Sequence, residues 1–233
     1  MIKDLIRSTL NVFGYEIRKR GERGFCASYL SQICAAKTVF DVGGADGTYE
    51  LYQAYPKAKF FLIEPLREFE DALNRISSEY DCEVFRQAVG DEESKRRITV
   101  YPADPQLSTL KRRPSAAQEA DSSESREIEV TTLDKILAEN RDIQPPILLK
   151  IDTEGHELEA LKDAKRLLTL TDTVILEASI SKRFTDSYTF AELILFMRDN
   201  DFAVFDFLNI SYGRGTPGAN FTDIVFKRLD THT

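Results

Sequence analysis

Short apolar runs typical of β-strands alternate with amphipathic runs typical of helices along most of this chain. The strand-like run at residues 38–43 precedes a helix-like run, and the strand-like run at 59–65 precedes a helix-like run with Leu73 and Ile76 on one face. Strands that alternate with helices favour a parallel sheet with right-handed crossovers. The pattern therefore predicts an α/β fold. Further strands are expected at 82–90, 146–152 and 173–180.

A polar stretch near the middle of the chain interrupts this alternation. Two β-type runs, at 96–102 and 126–132, flank residues 111–125, which contain few apolar side chains. Long polar segments within a compact domain are commonly lids or binding loops. We therefore predict an insert or lid at about 101–130. The alternation then resumes, and a helix is expected at about 154–168.

The two ends of the chain differ from this pattern. At the C-terminal end, two β-type runs are joined by a glycine-rich loop, which predicts an antiparallel hairpin that completes the sheet. At the N-terminal end, apolar residues at helical spacing predict an amphipathic leader within residues 1–37, ahead of a main domain at 38–230. Its apolar face predicts packing on the domain or on a second copy in a homodimer. A membrane-surface anchor is the alternative.

Composition excludes several functional classes. No apolar run among the 233 residues approaches the ~20 that a membrane-spanning helix needs, and no secretory signal is evident, so a cytoplasmic location is expected. The formal charge of -8 and the lack of an aromatic-basic pattern argue against nucleic acid as a partner. Three cysteines fit neither a zinc site nor a disulfide framework. We find no Walker loop, serine-nucleophile elbow or helical zinc-protease pair.

The turn after the first strand carries three glycines, Gly43, Gly44 and Gly47. Glycines let a backbone turn sharply and come close to a ligand, and the helix that follows offers unpaired N–H groups. In open α/β sheets, ligands bind at this carboxyl edge. The turn therefore predicts a cradle for a small ligand.

Acidic residues near this turn indicate which ligand it holds. Glu64 ends the second strand, where a carboxylate can accept both hydroxyls of an adenosine ribose. Asp41 and Asp46 would repel a pyrophosphate but suit a ligand with a cationic end. S-adenosylmethionine, with its sulfonium and amino groups, fits this description. At the end of the third strand, Gln87 and the adjacent Ala88 are expected at the adenine edge; for Gln87, an exposed polar strand end is the alternative.

The segment from Leu148 to Ala164, LLKIDTEGHELEALKDA, together with DVGGADG, FFLIEP, VTTLDKIL and TDIVF, resembles the FkbM family of S-adenosylmethionine-dependent methyltransferases. The resemblance implies a Rossmann-like class I methyltransferase fold: a seven-stranded, mostly parallel sheet with helices on both faces and an antiparallel last strand. It also implies methyl transfer, to a hydroxyl oxygen in the best-known members. Many relatives carry Asn where this chain has Ala45, which implies a lower affinity for the cofactor.

The same resemblance assigns roles by position. It places Asp41, Gly43 and Gly47 at the methionine and ribose end of the cofactor and Glu64 at the ribose. It places the remaining acids at the active-site edge: Asp152, Glu154 and Glu157.

Methylation of an alcohol requires a group that accepts its proton. His156 lies four positions after Asp152 and could face the same pocket, so we predict that His156 is the general base and that Asp152 lies near the cofactor amine or the acceptor. The alternative is a histidine in the first turn of an exposed helix. The local acids could in principle bind Mg²⁺, but adjacent helix positions do not all point one way, so no metal site is predicted.

Basic residues suggest where an acceptor binds. Three basic residues of the insert, Lys111, Arg112 and Arg113, and Arg214 in the final hairpin could hold an anionic group such as a uronate or sugar phosphate. Glu154 and Glu157 are also expected on the acceptor side. A solvated charge run is the alternative. The sequence thus favours a methyltransferase for a small molecule such as a sugar or anionic glycan precursor, over a nicotinamide-dependent oxidoreductase or a non-catalytic module that binds an adenosine ligand.

Overall fold

The computed structural model describes residues 24–114, 123–212 and 217–229, so Arg214 and the first 23 residues of the leader predicted at 1–37 lie outside the described residues. The strands are β1 (Thr38–Val42), β2 (Lys59–Ile63), β3 (Cys82–Phe85), β4 (Ala88–Val89), β5 (Ser94–Val100), β6 (Glu124–Thr131), β7 (Ile147–Ile151), β8 (Thr171–Ser179), β9 (Phe202–Tyr212) and β10 (Ala219–Arg228). The helices are α1 (Ala27–Ile33), α2 (Tyr49–Ala54), α3 (Glu70–Glu79), α4 (Leu133–Glu139), α5 (Glu157–Lys162), α6 (Lys165–Leu170) and α7 (Phe190–Asp199).

Seven strands form one sheet in the order β3-β2-β1-β7-β8-β10-β9. β1, β2, β3, β7 and β8 pair in parallel, whereas β10 runs antiparallel to both β8 and β9. The order reverses between β1 and β7, and this switch point is where open α/β sheets bind ligands. The predicted class I methyltransferase fold, with its mostly parallel sheet and antiparallel terminal hairpin, is confirmed.

The core lies on both faces of this sheet. All five residues of β1 and all five of β7 are buried, as expected for central parallel strands covered on both sides. Phe40 stacks on Phe61 on one face, whereas α1 contributes Leu30 and Ile33 to the other. The described residues include no helix that is both long enough and apolar enough to cross a membrane.

The expected strand at 82–90 is divided between two sheets. β3 ends at Phe85, and Ala88 and Val89 form β4, which pairs with β6 in a three-stranded sheet of order β4-β6-β5. Arg86 and Gln87 occur at the break, and their side chains bind Glu70 and Glu129. The β5–β6 hairpin is the predicted excursion around the insert.

The helix expected at about 154–168 begins later and is interrupted. Glu154 and Gly155 have φ angles of 50° and 93°, so the chain enters helical conformation only after His156. Asp163 and Ala164 then leave helical geometry, with ψ angles of 26° and 24°, and separate α5 from α6. A capping box formed by Thr189 and Glu192 opens α7.

Candidate active site

A cavity of about 520 Å³ opens at the carboxyl ends of the parallel strands. The loops after β1 and β2 line one side, and the segment after β7 lines another. Residues 104–110 of the insert and the side chains of Glu177, Asn209 and Asp223 complete the wall. The cavity therefore lies at the switch point of the sheet and brings together most of the side chains predicted from sequence.

The glycine loop at 43–48 has a backbone that only certain residues can adopt. Gly43 has φ 69°, and a Cβ there would lie 1.8 Å from the carbonyl oxygen of Asp152. Gly47 has φ 112°, and a Cβ there would lie 2.5 Å from Ile76 Cδ1. Ala45 also has a positive φ, 46°, a conformation that Asn tolerates better than Ala. Gly43 thus packs directly against the backbone of the segment after β7, and Gly47 packs against α3.

Asp41 is placed differently from the prediction that it binds the cofactor directly. Its carboxylate is buried beneath the glycine loop and does not line the cavity, although the next residue, Val42, does. It accepts hydrogen bonds from Tyr52 Oη at 2.7 Å and Thr48 Oγ1 at 3.0 Å. Because side chains alternate along a strand, Asp41 points under the loop. Its contacts with α2 hold the loop in place.

Glu64 is placed in the cavity wall, as predicted. Its two carboxylate oxygens accept backbone N–H groups of Ala45, at 3.1 Å, and Leu66, at 3.0 Å. The carboxylate thus ties the loop after β1 to the loop after β2. Burial raises the pKa of Glu64 to about 7, although these two hydrogen bonds and Lys150 act to lower it.

Lys150, near the end of β7, is a cavity residue that the sequence analysis did not single out. Its buried ammonium lies 3.4 Å from Asp41 Oδ1 and 3.5 Å from Asp152 Oδ2. It also donates to the carbonyl of Gly43 at 3.4 Å. Burial lowers the pKa of Lys150, but Asp152, Asp41 and Asp223 outweigh this and raise it above its usual value. Lys150 therefore remains charged and joins the glycine loop to the segment after β7.

The segment after β7 presents Asp152 and Glu154 to the cavity but not Glu157. Asp152 is about one-third exposed, at 34%, which leaves its carboxylate accessible to a ligand. Glu157 is fully buried, and one of its oxygens accepts the N–H groups of Thr153 and Gly155, both at 3.0 Å. Burial raises the pKa of Glu157. Glu157 therefore shapes the loop and does not contact the acceptor side of the cavity.

His156 is the residue whose environment most suggests chemistry. It is 2% exposed and lines the cavity, so it is not a histidine on an exposed helix. Neither ring nitrogen has a hydrogen-bond partner among the described residues. Burial lowers the pKa of His156 to about 4, so the imidazole is neutral at pH 7. A buried polar group without a partner is costly and is commonly explained by a functional role.

The basic residues of the insert do not present free charges to the cavity. Lys111 binds Glu159 at 3.0 Å, and Arg112 has an exposed side chain outside the cavity lining. Arg113 binds Glu154 at 2.9 Å. Because acids on α5 and the preceding loop pair with Lys111 and Arg113, the predicted anion contact of the insert is not assembled here.

Of the two residues predicted at the adenine edge, Gln87 and Ala88, only one lines the cavity. Ala88 lines the cavity, but Gln87 lies outside its lining and donates to Glu129 at 3.1 Å.

In the loop after β1, Gly44 and Asp46 also line the cavity, and Asp46 accepts from Gln106 of the insert at 3.0 Å. The loop after β1 is therefore in direct contact with the insert.

Three polar residues from the last strands also line the cavity: Glu177, Asn209 and Asp223. Asp223 pairs directly with Glu177 across the β8–β10 ladder and accepts from Asn209 at 2.6 Å. Burial, followed by the charge of Asp152, raises the pKa of Glu177 to about 9 despite its contact with Arg183. The TDIVF segment quoted for the family resemblance contains Asp223, but none of the three residues was assigned a role from the sequence; the remaining signal was a polar residue within a β-type run.

The part of the chain that the structure describes lacks the arrangements of side chains that bind metal ions. Within the described ranges, no group of three or more His, Cys, Asp and Glu side chains is placed to hold a metal ion.

Comparison with known proteins gives independent findings on this chain. A family model described as the methyltransferase FkbM domain matches residues 41–204. Hexuronic acid methyltransferase AglP of Haloferax volcanii is 26% identical over 195 residues, which cover 79% of this chain and 77% of that protein.

Solved structures give more distant matches. The magnesium protoporphyrin IX methyltransferase of Synechocystis, determined with bound S-adenosylmethionine, is 12% identical with a TM-score of 0.46, over 83% of this chain and 71% of that one. A fibrillarin/Nop5p complex matches with 12% identity and a TM-score of 0.47, over 96% of this chain and 80% of that one.

Proposed function

Because this chain belongs to the FkbM methyltransferase family, we propose that it methylates a hydroxyl oxygen of a small molecule and that the acceptor is a sugar or glycan precursor. It is a methyltransferase whose cofactor is S-adenosylmethionine. Membership in this family removes the nicotinamide-dependent oxidoreductase from consideration. The choice of oxygen and of a sugar is our proposal.

The described residues fit this cofactor. Gly43, Gly44 and Gly47 line the cavity without side chains to fill it, and the Glu64 carboxylate in the wall can accept ribose hydroxyls. Asp46 and Asp152 supply negative charge for the cationic methionine end. When bound, S-adenosylmethionine supplies an activated methyl carbon, whose bond to sulfur breaks as the acceptor oxygen bonds to it, and S-adenosylhomocysteine remains.

The observation that carries the choice of oxygen is the buried, unpartnered imidazole of His156. An alcohol must lose its proton as it is methylated, and the neutral imidazole has a nitrogen free to accept it. Asp152 lies on the same cavity wall and can orient the acceptor through a hydrogen bond.

The cavity supports a hydroxyl-rich acceptor. Besides Asp152, its wall includes Glu177, Asn209 and Asp223, which offer several hydrogen-bond acceptors along adjacent strands. The similarity to a hexuronic acid methyltransferase also favours a sugar. We therefore place free sugars, hexuronic acids and nucleotide sugars first among candidate acceptors.

The test is an acceptor screen with S-adenosylmethionine labelled with ¹³C in its methyl group. Products are identified by NMR, which distinguishes a methyl carbon on oxygen from one on nitrogen. We expect an O-methyl sugar from the native protein and at least a hundredfold lower rate from His156→Gln, with cofactor affinity within twofold of native. An N-methyl product would contradict the proposal. Cofactor binding without product across the screen would instead favour a non-catalytic binding module.

A further inference from the structure

The His156 ring, which lines the cavity, faces a buried carboxylate oxygen of Glu159 that also lacks a hydrogen-bond partner among the described residues. His156 Nδ1 lies 3.8 Å from Glu159 Oε2, one turn further along the chain. Among the described residues, neither this oxygen nor either ring nitrogen of His156 has a hydrogen-bond partner. The separation exceeds a hydrogen bond, but catalytic hydrogen bonds in ligand-free enzymes are often long and tighten when substrate binds.

The other oxygen of Glu159 is held by the insert. Lys111 Nζ lies 3.0 Å from Glu159 Oε1 and also donates to the carbonyl of Asp186 at 3.0 Å. Lys111 and Glu159 are both largely buried, with side chains 10% and 16% exposed. Two residues earlier, Thr109 donates to the carbonyl of Glu154 at 2.7 Å. The insert therefore contacts α5 through Lys111 and the loop before α5 through Thr109.

We propose that Glu159 is the positioning residue for His156, and that Lys111 of the insert fixes Glu159 in this role. The inference rests on the proposed function, in which His156 accepts the proton of the acceptor hydroxyl. It assigns Lys111 to the support of the base, where the sequence suggested contact with an anionic acceptor.

The charge changes during proton transfer explain why such a residue is needed. As the acceptor oxygen bonds to the methyl carbon, its proton moves to His156 Nε2 and the ring becomes a buried cation. Glu159 faces the opposite nitrogen, Nδ1, where a carboxylate stabilises the imidazolium and keeps the proton of the neutral ring on Nδ1. Nε2 then remains free to act as the acceptor.

Several charged groups around His156 affect its pKa. Burial lowers the pKa of His156, Glu159 raises it, Lys111 and Arg96 lower it, and Asp91 raises it. Arg96 lies on β5 and binds Asp91 at 2.6 Å, so these two largely cancel. Glu159 and Lys111 are consequently the pair whose removal should move the titration of His156 in opposite directions.

The experiment compares Glu159→Gln and Lys111→Met in the full chain. The protein has only two histidines, His156 and His232, so replacing His232 leaves a single imidazole to follow by NMR. We expect Lys111→Met to shift the pKa of His156 upward by on the order of one pH unit. We expect Glu159→Gln to shift it downward and to transfer part of the ring proton from Nδ1 to Nε2.

Turnover and a matched control complete the design. Glu159→Gln should lower kcat roughly ten- to hundredfold while the acceptor KM and cofactor affinity stay within about twofold. The control pair is Glu127→Gln and Lys95→Met, an exposed salt bridge on β5 and β6, which should change neither titration nor kcat.

The inference would be overturned if the two variants shifted the pKa of His156 in the same direction. It would also be overturned if Glu159→Gln left the ring tautomer or kcat unchanged. The titrations need no acceptor, so they test the Glu159–Lys111 pair independently of turnover. Absence of turnover by the native protein, in contrast, would count against the proposed function itself.

Discussion

Replacing Glu64 by Gln should remove a loss of stability that the ligand-free protein undergoes as the pH rises from 4.5 to 8. Burial raises the pKa of this carboxyl from 4.5 to about 7. Each pH unit of difference is worth about 1.4 kcal/mol, so ionising Glu64 costs the folded state about 3 kcal/mol. The cost is absent below pH 4.5, where the group is protonated in both states. It grows between pH 4.5 and 7 and is fully present above pH 7. Gln cannot ionise and avoids it.

The assay is urea unfolding at pH 4.5 and pH 8, followed by far-ultraviolet circular dichroism because the chain has no tryptophan. At pH 4.5 the variant should be less stable than the native protein by about 1–3 kcal/mol, because the amide nitrogen of Gln cannot accept the N–H of Ala45 or Leu66 and leaves one of them without its partner. Between pH 4.5 and pH 8 the stability of the variant relative to the native protein should rise by about 3 kcal/mol, while its affinity for S-adenosylmethionine falls at least tenfold.

An exposed glutamate provides the control for this prediction. Glu79→Gln, at the end of α3, should give the same difference at both pH values. A stability difference for Glu64→Gln that does not change between pH 4.5 and pH 8 would refute the reasoning. It would mean that the Ala45 and Leu66 N–H groups stabilise the carboxylate as well as water does.

Three further substitutions test the supports of the cavity. Gly43→Ala should cost at least 3 kcal/mol and abolish the rise in melting temperature with S-adenosylmethionine, because its Cβ would lie 1.8 Å from a carbonyl oxygen. Lys150→Met should cost about 3–5 kcal/mol in urea unfolding at pH 7, because it leaves Asp41 and Asp152 without their shared cation. Thr132→Ala should cost about 1 kcal/mol by the same method, because α4 loses its N-cap. For each substitution, an unchanged melting temperature or unfolding midpoint would contradict the prediction.

Local patterns carried most of the fold prediction. Strand periodicity, the glycine turn and the terminal hairpin depend on residues close together in sequence, and the structure confirms the sheet they imply. The boundary errors also have local causes. The left-handed backbone at Glu154 and Gly155 delays α5, and no hydrophobic pattern reports such dihedral angles.

The site was less predictable because its chemistry depends on partners far apart in sequence. The short sequence from Lys111 to Arg113 gives no sign that Glu159 and Glu154 will neutralise two of its charges. Likewise, Lys150 looks like a strand residue until folding places it between two carboxylates. Residue type and strand position identified the cavity wall, but the direction and pairing of each side chain required the fold.

The measurement that tests the central claim most directly is calorimetric titration of the native protein and Gly43→Ala with S-adenosylmethionine and S-adenosylhomocysteine, with NADH as the control ligand. We predict saturable one-to-one binding of both sulfur ligands to the native protein, its loss in folded Gly43→Ala, and no binding of NADH. Native protein that is folded but binds neither sulfur ligand, or a variant that binds them equally well, would contradict the assignment of this cavity to the methyl donor.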